Sequence, residues 1–140
     1  MTENAHPQAF ALSEPINVVL ADDHQMVRTN LRLLLERERD VAVVAEAGKE
    51  FTTMRHVTDH EPHVLLLDLR TNGSNLELIR RLRAQVPETE IVVMTMEDSQ
   101  AFAHAAIERG AVGYVLKENA WLRRIAGFGW HSSYRTRACA

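Results

Sequence analysis

One hundred and forty residues suffice for one globular domain with a tail, and not for two. With 46% hydrophobic and 25% charged residues and a formal charge of −3, the composition excludes collagen-like, coiled-coil and largely disordered chains. One cysteine, Cys139, rules out an internal disulfide, and no apolar run reaches the ~18 residues of a membrane span or follows a charged start, so a reducing, cytoplasmic setting is expected.

Residues 1–15 are polar and carry Pro7 and Pro15, as in a flexible N-terminal extension. Ile16–Ala21 (INVVLA) then reads as a buried strand. From Gln25 to Arg39, Val27, Leu31, Leu34 and Leu35 fall on one helical stripe while Arg28, Arg32, Glu36 and Arg39 face elsewhere. Val41–Ala45 is a second strand, and Phe51, Met54 and Val57 mark a second helix that Pro62 ends. Val64–Leu67 follows as a strand, and Ile79, Leu82 and Val86 as a helical stripe that stops before Pro87. Ile91–Met94 is the fourth strand, and about Gln100–Arg109 forms an alanine-rich helix with Gly110 suited to its C-cap. Gly113–Leu116 is the fifth strand. The strands are continuously apolar rather than alternating, so both faces are covered. Five β-α repeats with short connections predict a doubly wound parallel sheet.

Past Glu118 there are no acids but four arginines, Arg123, Arg124, Arg135 and Arg137. Residues 1–118 thus hold twelve basic against nineteen acidic side chains, a net charge of −7. An acidic domain over 16–118 and a basic, aromatic segment over 119–140 are the expected division.

In doubly wound folds ligands gather at the carboxyl ends of the strands, where the winding reverses. Those ends carry Asp22 and Asp23, Asp68, Thr95 and Lys117. In the flavodoxin-like order 2-1-3-4-5 the first and third strands are neighbours, so Asp22, Asp23 and Asp68 converge. Three carboxylates repel unless a cation joins them or one takes up a proton. Magnesium suits such a set and readily accepts a phosphate oxygen as a further ligand. Lys117 and Thr95 fit beside a phosphoryl group, whose spread charge needs positioned cations and donors, and Asp68 is placed to attack phosphorus. Taken singly, the DD pair is equally an ordinary helix cap, Thr95 a strand-end hydroxyl, Lys117 a solvated charge and Tyr114 a half-buried strand residue. Their joint placement at strand ends is what those separate readings fail to explain.

ADDH at Ala21–His24, LLLDL at Leu65–Leu69, MT at Met94–Thr95 and GYVLK at Gly113–Lys117 resemble a bacterial response-regulator receiver domain of the NarL/FixJ (LuxR-type) subfamily. The resemblance covers about Ile16–Glu118. It implies a phosphoacceptor Asp68 and Mg2+ held by Asp23, Asp68 and the Arg70 backbone carbonyl, with Asp22 assisting through water. Thr95 and Tyr114 form the implied switch pair, and Lys117 completes the site. The implied donor is a phosphohistidine on a sensor histidine kinase, in a phosphorelay with no separate substrate, so this is a signalling domain rather than an enzyme.

The sequence departs from the family in two places. After Asp68 the loop reads Arg70, Thr71, Asn72, Gly73, Ser74, Asn75, without the family's proline, which predicts weaker magnesium binding or an altered phosphate lifetime. After Lys117 the family has a full fifth helix and, in this subfamily, a helix-turn-helix DNA-binding domain. Here Gly127 and Gly129 predict a shortened or irregular helix, and the remaining residues cannot hold that domain. Specific DNA binding by this chain alone is not expected, since four arginines give only weak, salt-sensitive contacts. Trp130 and Tyr134 suit a homodimer or domain-swapped dimer through this end. A phosphorylation-independent interaction module with an altered output end is the competing reading. A phosphate-ester hydrolase of the haloacid-dehalogenase type is disfavoured because Arg70 stands where its second acid would be. His56, His60 and His63 are read as solvated surface rather than a metal site. His24, next to the acidic pair, stands between tuning kinase docking and a plain surface role.

Overall fold

The computed structural model describes residues 14–69, 75–95 and 100–116. Five strands, β1 (Ile16–Ala21), β2 (Val41–Ala47), β3 (Val64–Asp68), β4 (Glu90–Thr95) and β5 (Gly113–Leu116), form one parallel sheet in the order β2-β1-β3-β4-β5. Four helices connect them: α1 (Gln25–Leu35), α2 (Glu50–His60), α3 (Leu76–Gln85) and α4 (Gln100–Arg109). This is the predicted flavodoxin-like winding. The expected fifth helix, residues 1–13 of the N-terminal extension and the basic segment lie outside the described residues.

The sheet is buried on both faces, which is why its strands read as unbroken apolar runs. One face packs Val18, Leu20, Val64, Leu66, Val92 and Met94 against Leu31 and Leu35 of α1. The other packs Val19, Leu65, Leu67, Ile91 and Val93 against Val57 of α2, Leu78, Ile79 and Leu82 of α3 and Ala106 of α4. Leu65, Leu66 and Ile79 are fully buried, each contributing roughly 1.5–3 kcal/mol.

Pairing of β1 with β2 contains an irregularity. Val18 lies opposite Val43 but Val19 lies opposite Ala45, so Val44 is an extra residue on β2. Val44 and Ala45 consequently both pack towards the α2–α4 layer, whereas Val41 and Val43 face α1. Glu46, the next residue, falls on the α1 side.

The helix ends follow local chemistry. The helix α1 stops at Leu35, four residues short of the predicted Arg39, because the apolar stripe ends there. The Arg37 and Glu38 amides close tighter turns on the Leu34 and Leu35 carbonyls at 3.2 and 3.0 Å, and the chain reverses into β2. Glu61 closes α2 in the left-handed region (φ 44°) ahead of Pro62, as predicted. Gly110 (φ 126°) ends α4, its amide reaching Ile107 while the Ala111 amide reaches Ala106, a Schellman arrangement that a residue with a Cβ would strain. No described helix is long and apolar enough to cross a membrane.

Candidate functional site: an acidic crevice at the ends of β1 and β3

The Asp22 amide donates to the Ala47 carbonyl at 3.0 Å, extending the β1–β2 ladder by one step. The chain then turns sharply, because Asp22 Oδ1 accepts from the His24 amide at 2.8 Å. His24 is the N-cap residue of α1 and its carbonyl receives the Arg28 amide at 3.0 Å. The turn holds the Asp22 side chain fully buried while Asp23 remains 35% exposed.

Asp68, the last residue of β3, is buried and lies in register with Met94. Its strand is locked beyond that point by the Leu69 amide on the Met94 carbonyl at 2.7 Å. Asn75, also buried, donates its side-chain amide to the Asp68 carbonyl and so ties the start of α3 to the end of β3. Asp22, Asp23, Gly48, Lys49, Thr53, Asp68 and Asn75 are among the residues lining the crevice. One donor atom each from Asp22, Asp23, His24 and Asp68 lies within 4.8 Å of every other.

Arg28 supports the floor of this turn. Its Nη1 donates to the Asp22 carbonyl at 2.7 Å, and its Nε to Glu46 Oε1 at 3.1 Å. Glu46 also pairs with Arg32. Partial burial pushes the Glu46 carboxyl up, but hydrogen bonds from Arg32 and Arg28 and their positive charges outweigh it and hold it below its ordinary value. Gly48 leaves room for this guanidinium, since a Cβ there would stand 3.2 Å from Arg28 Nη1.

The structure brings together Asp22, Asp23 and Asp68, as the strand order requires. Thr95 closes β4 one position beyond the register partner of Asp68, opposite Leu116. Tyr114 pairs with Val93 and packs half-buried against the α2–α4 core. Arg70, Lys117 and the remainder of the loop without proline lie outside the described residues. The His56 and His60 rings lie tilted at 43° with centroids 5.8 Å apart, and neither belongs to a described group of three or more metal-ligating side chains. His63 Nδ1 accepts the Asn17 amide at 2.9 Å.

Four contributors were missed by the sequence reading: Asn75, Lys49, and the Arg28–Glu46 pair. Lys49 follows a glycine at the end of β2, a third strand terminus beside the switch point, and the rule that chemistry collects at strand ends reaches it. Asn75 and Arg28–Glu46 act across folded distance and left no local signal.

A chain with this sheet order and carboxylates gathered where the winding reverses is a flavodoxin-like α/β domain with an acidic switch-point site. Residues 18–123 match the response regulator receiver domain family, and the chain belongs to it. It is 35% identical over 106 residues to the oxygen regulatory protein NreC of Staphylococcus epidermidis, an alignment covering 74% of this chain and 49% of that one. A LuxR-family two-component response regulator from an Aurantimonas species superimposes with a TM-score of 0.75 at 31% identity, over 89% of this chain and 88% of that chain. The signal receiver domain of a NarL response regulator from Mycobacterium tuberculosis gives a TM-score of 0.70 at 28% identity, over 81% and 98%. The relatives are thus NarL/LuxR-type response regulators, and the chain spans about half the length of the curated relatives it matches.

Proposed function

We propose that the domain receives a phosphoryl group on Asp68 from the phosphohistidine of a sensor histidine kinase, in a magnesium-dependent reaction, and changes its interaction surface in response. The observation that carries this reading is the convergence of Asp22, Asp23 and Asp68 on one crevice in a receiver-family fold. The donor set is chemically suited to the ion: hard carboxylate oxygens, with Asp23 still open to solvent so that waters can complete an octahedron. Asp23, Asp68 and the Arg70 carbonyl would hold the ion, with Asp22 acting through water. Bound there, Mg2+ supplies charge neutralisation for the phosphoryl oxygens.

Asp68 attacks phosphorus through a carboxylate oxygen. The P–O bond forms as the P–N bond to the donor imidazole breaks, and the electron pair returns to that nitrogen, which is protonated on departure. Burial of Asp68 limits water around the acyl phosphate. Asn75 holds the carbonyl of the same residue, so the attacking carboxylate starts from a fixed backbone. Lys117 and the Thr95 hydroxyl are assigned to the phosphoryl oxygens. Movement of Thr95 towards them frees space for Tyr114 to turn inward, and the roughly −1.5 to −2 of added charge drives the change.

The test is intact mass after incubation with acetyl phosphate, with and without Mg2+. The wild type should gain one phosphoryl unit only with the ion, and Asp68→Asn should gain none. A folded wild-type chain that gains no mass under those conditions refutes the phosphoacceptor reading.

A further inference from the structure

We infer that His24 is a fourth donor of the acidic crevice, so that the site takes nitrogen-preferring divalent ions such as Co2+ and Zn2+ in addition to Mg2+. This rests on the reading of the crevice as an ion site and adds a ligand, and a selectivity, to it. The turn that buries Asp22 also folds the imidazole back over the acids. His24 Nδ1 stands 3.2 Å from Asp22 Oδ1 and 3.1 Å from Asp23 Oδ1. Donors bonded at about 2.1 Å to one octahedral ion are about 3.0 Å apart when adjacent and about 4.2 Å apart when opposite. One donor atom each of His24, Asp23 and Asp68 lies within 4.8 Å of the others, close to the span of two opposite ligands.

Mobility and chemistry point the same way. The His24 side chain is 68% exposed, so the ring pivots without disturbing the core, whereas the Asp22 carboxylate beneath it is buried and fixed by the turn. Oxygen donors alone serve Mg2+ well, while imidazole nitrogen favours cobalt and zinc. The competing account is that His24 pairs with the two carboxylates only as a cation. It predicts no nitrogen bonded to a metal.

The experiment uses the full chain carrying His56→Ala and His60→Ala, which silences the other close histidine pair. Calorimetric titration with Mg2+, Co2+ and Zn2+ is run on this background and on the same background with His24→Ala or His24→Gln, and zinc-edge X-ray absorption is recorded for each. Removing a metal-bound imidazole should weaken Co2+ and Zn2+ binding by at least about tenfold and leave Mg2+ within about twofold. The imidazole scattering signature should be present with His24 and absent without it. Unchanged Co2+ and Zn2+ affinity, or no imidazole signature, in protein that binds Mg2+ overturns the inference and leaves the phosphoacceptor reading standing. Binding of none of the three ions refutes the crevice as an ion site, and the role of His24 with it.

Discussion

Arg28 offers the sharpest test of how the acidic turn is held. Its guanidinium is only 18% exposed, spans the gap between α1 and β2, and donates to the Asp22 carbonyl and to Glu46, itself 20% exposed. Arg28→Ala removes a charge-assisted hydrogen bond to a part-buried carbonyl, worth about 1.5 kcal/mol. It also removes an ion pair whose loss is softened because Arg32 still reaches Glu46, about 0.5 kcal/mol more. A total near 2 kcal/mol lowers the melting temperature of a domain this size by roughly 8 °C. Calorimetry should show that drop, with Arg28→Lys intermediate because an ammonium lacks the planar fork. A cycle with Glu46→Gln should give a coupling of about 0.5–1.5 kcal/mol. Since the same guanidinium seats the backbone of Asp22, Mg2+ affinity should fall by about tenfold. A melting temperature within about 2 °C of wild type, together with unchanged Mg2+ affinity, would falsify the positioning argument.

The depressed Glu46 carboxyl means that the folded chain binds its proton less readily than the unfolded one. The stability it contributes is therefore complete above the ordinary carboxylate value of 4.5 and disappears as pH drops through the lower folded value. Urea midpoints measured down that acid limb should fall less steeply in Glu46→Gln, and parallel limbs would contradict the assignment. Gly110→Ala forces a Cβ to within 2.3 Å of Arg83 Cγ at φ 126°, and should cost about 1–3 kcal/mol in urea denaturation. An equally stable variant would show that the end of α4 relaxes freely. Asn75→Ala removes a buried donor from the Asp68 carbonyl and should destabilise by about 1–3 kcal/mol while slowing phosphorylation by acetyl phosphate. Unchanged kinetics would detach Asn75 from the site.

Strand identity, helix order and the three convergent acids were legible because each rests on short-range pattern. Continuous apolar runs betray a sheet covered on both sides, and the winding rule turns three separated aspartates into one cluster. Proline and glycine marked the ends of α2, α3 and α4 by steric necessity. The end of α1 had no such stop signal, and polar residues that could have continued the helix turned into β2 instead. The supports of the site were illegible for a different reason. Arg28 and Glu46 are 18 positions apart, Asn75 and Asp68 seven, and their meeting depends on side-chain reach across packed elements. His24 was visible beside the acids, but only the backbone turn shows its ring directed back at them.

The one-residue slip at Val44 has a consequence for tolerance to deletion. In an unslipped strand the alternation of side chains would aim Glu46 at the hydrocarbon layer around Val57 and Leu78, stranding a carboxylate far from either arginine. Removing the Val44 codon would instead leave Ala45 opposite Val19 and Glu46 opposite Leu20 on the α1 side, so β2 should tolerate loss of the slipped residue, whereas regular pairing of the uncut strand would dismantle the cradle beneath Asp22 though no residue of the crevice itself had changed.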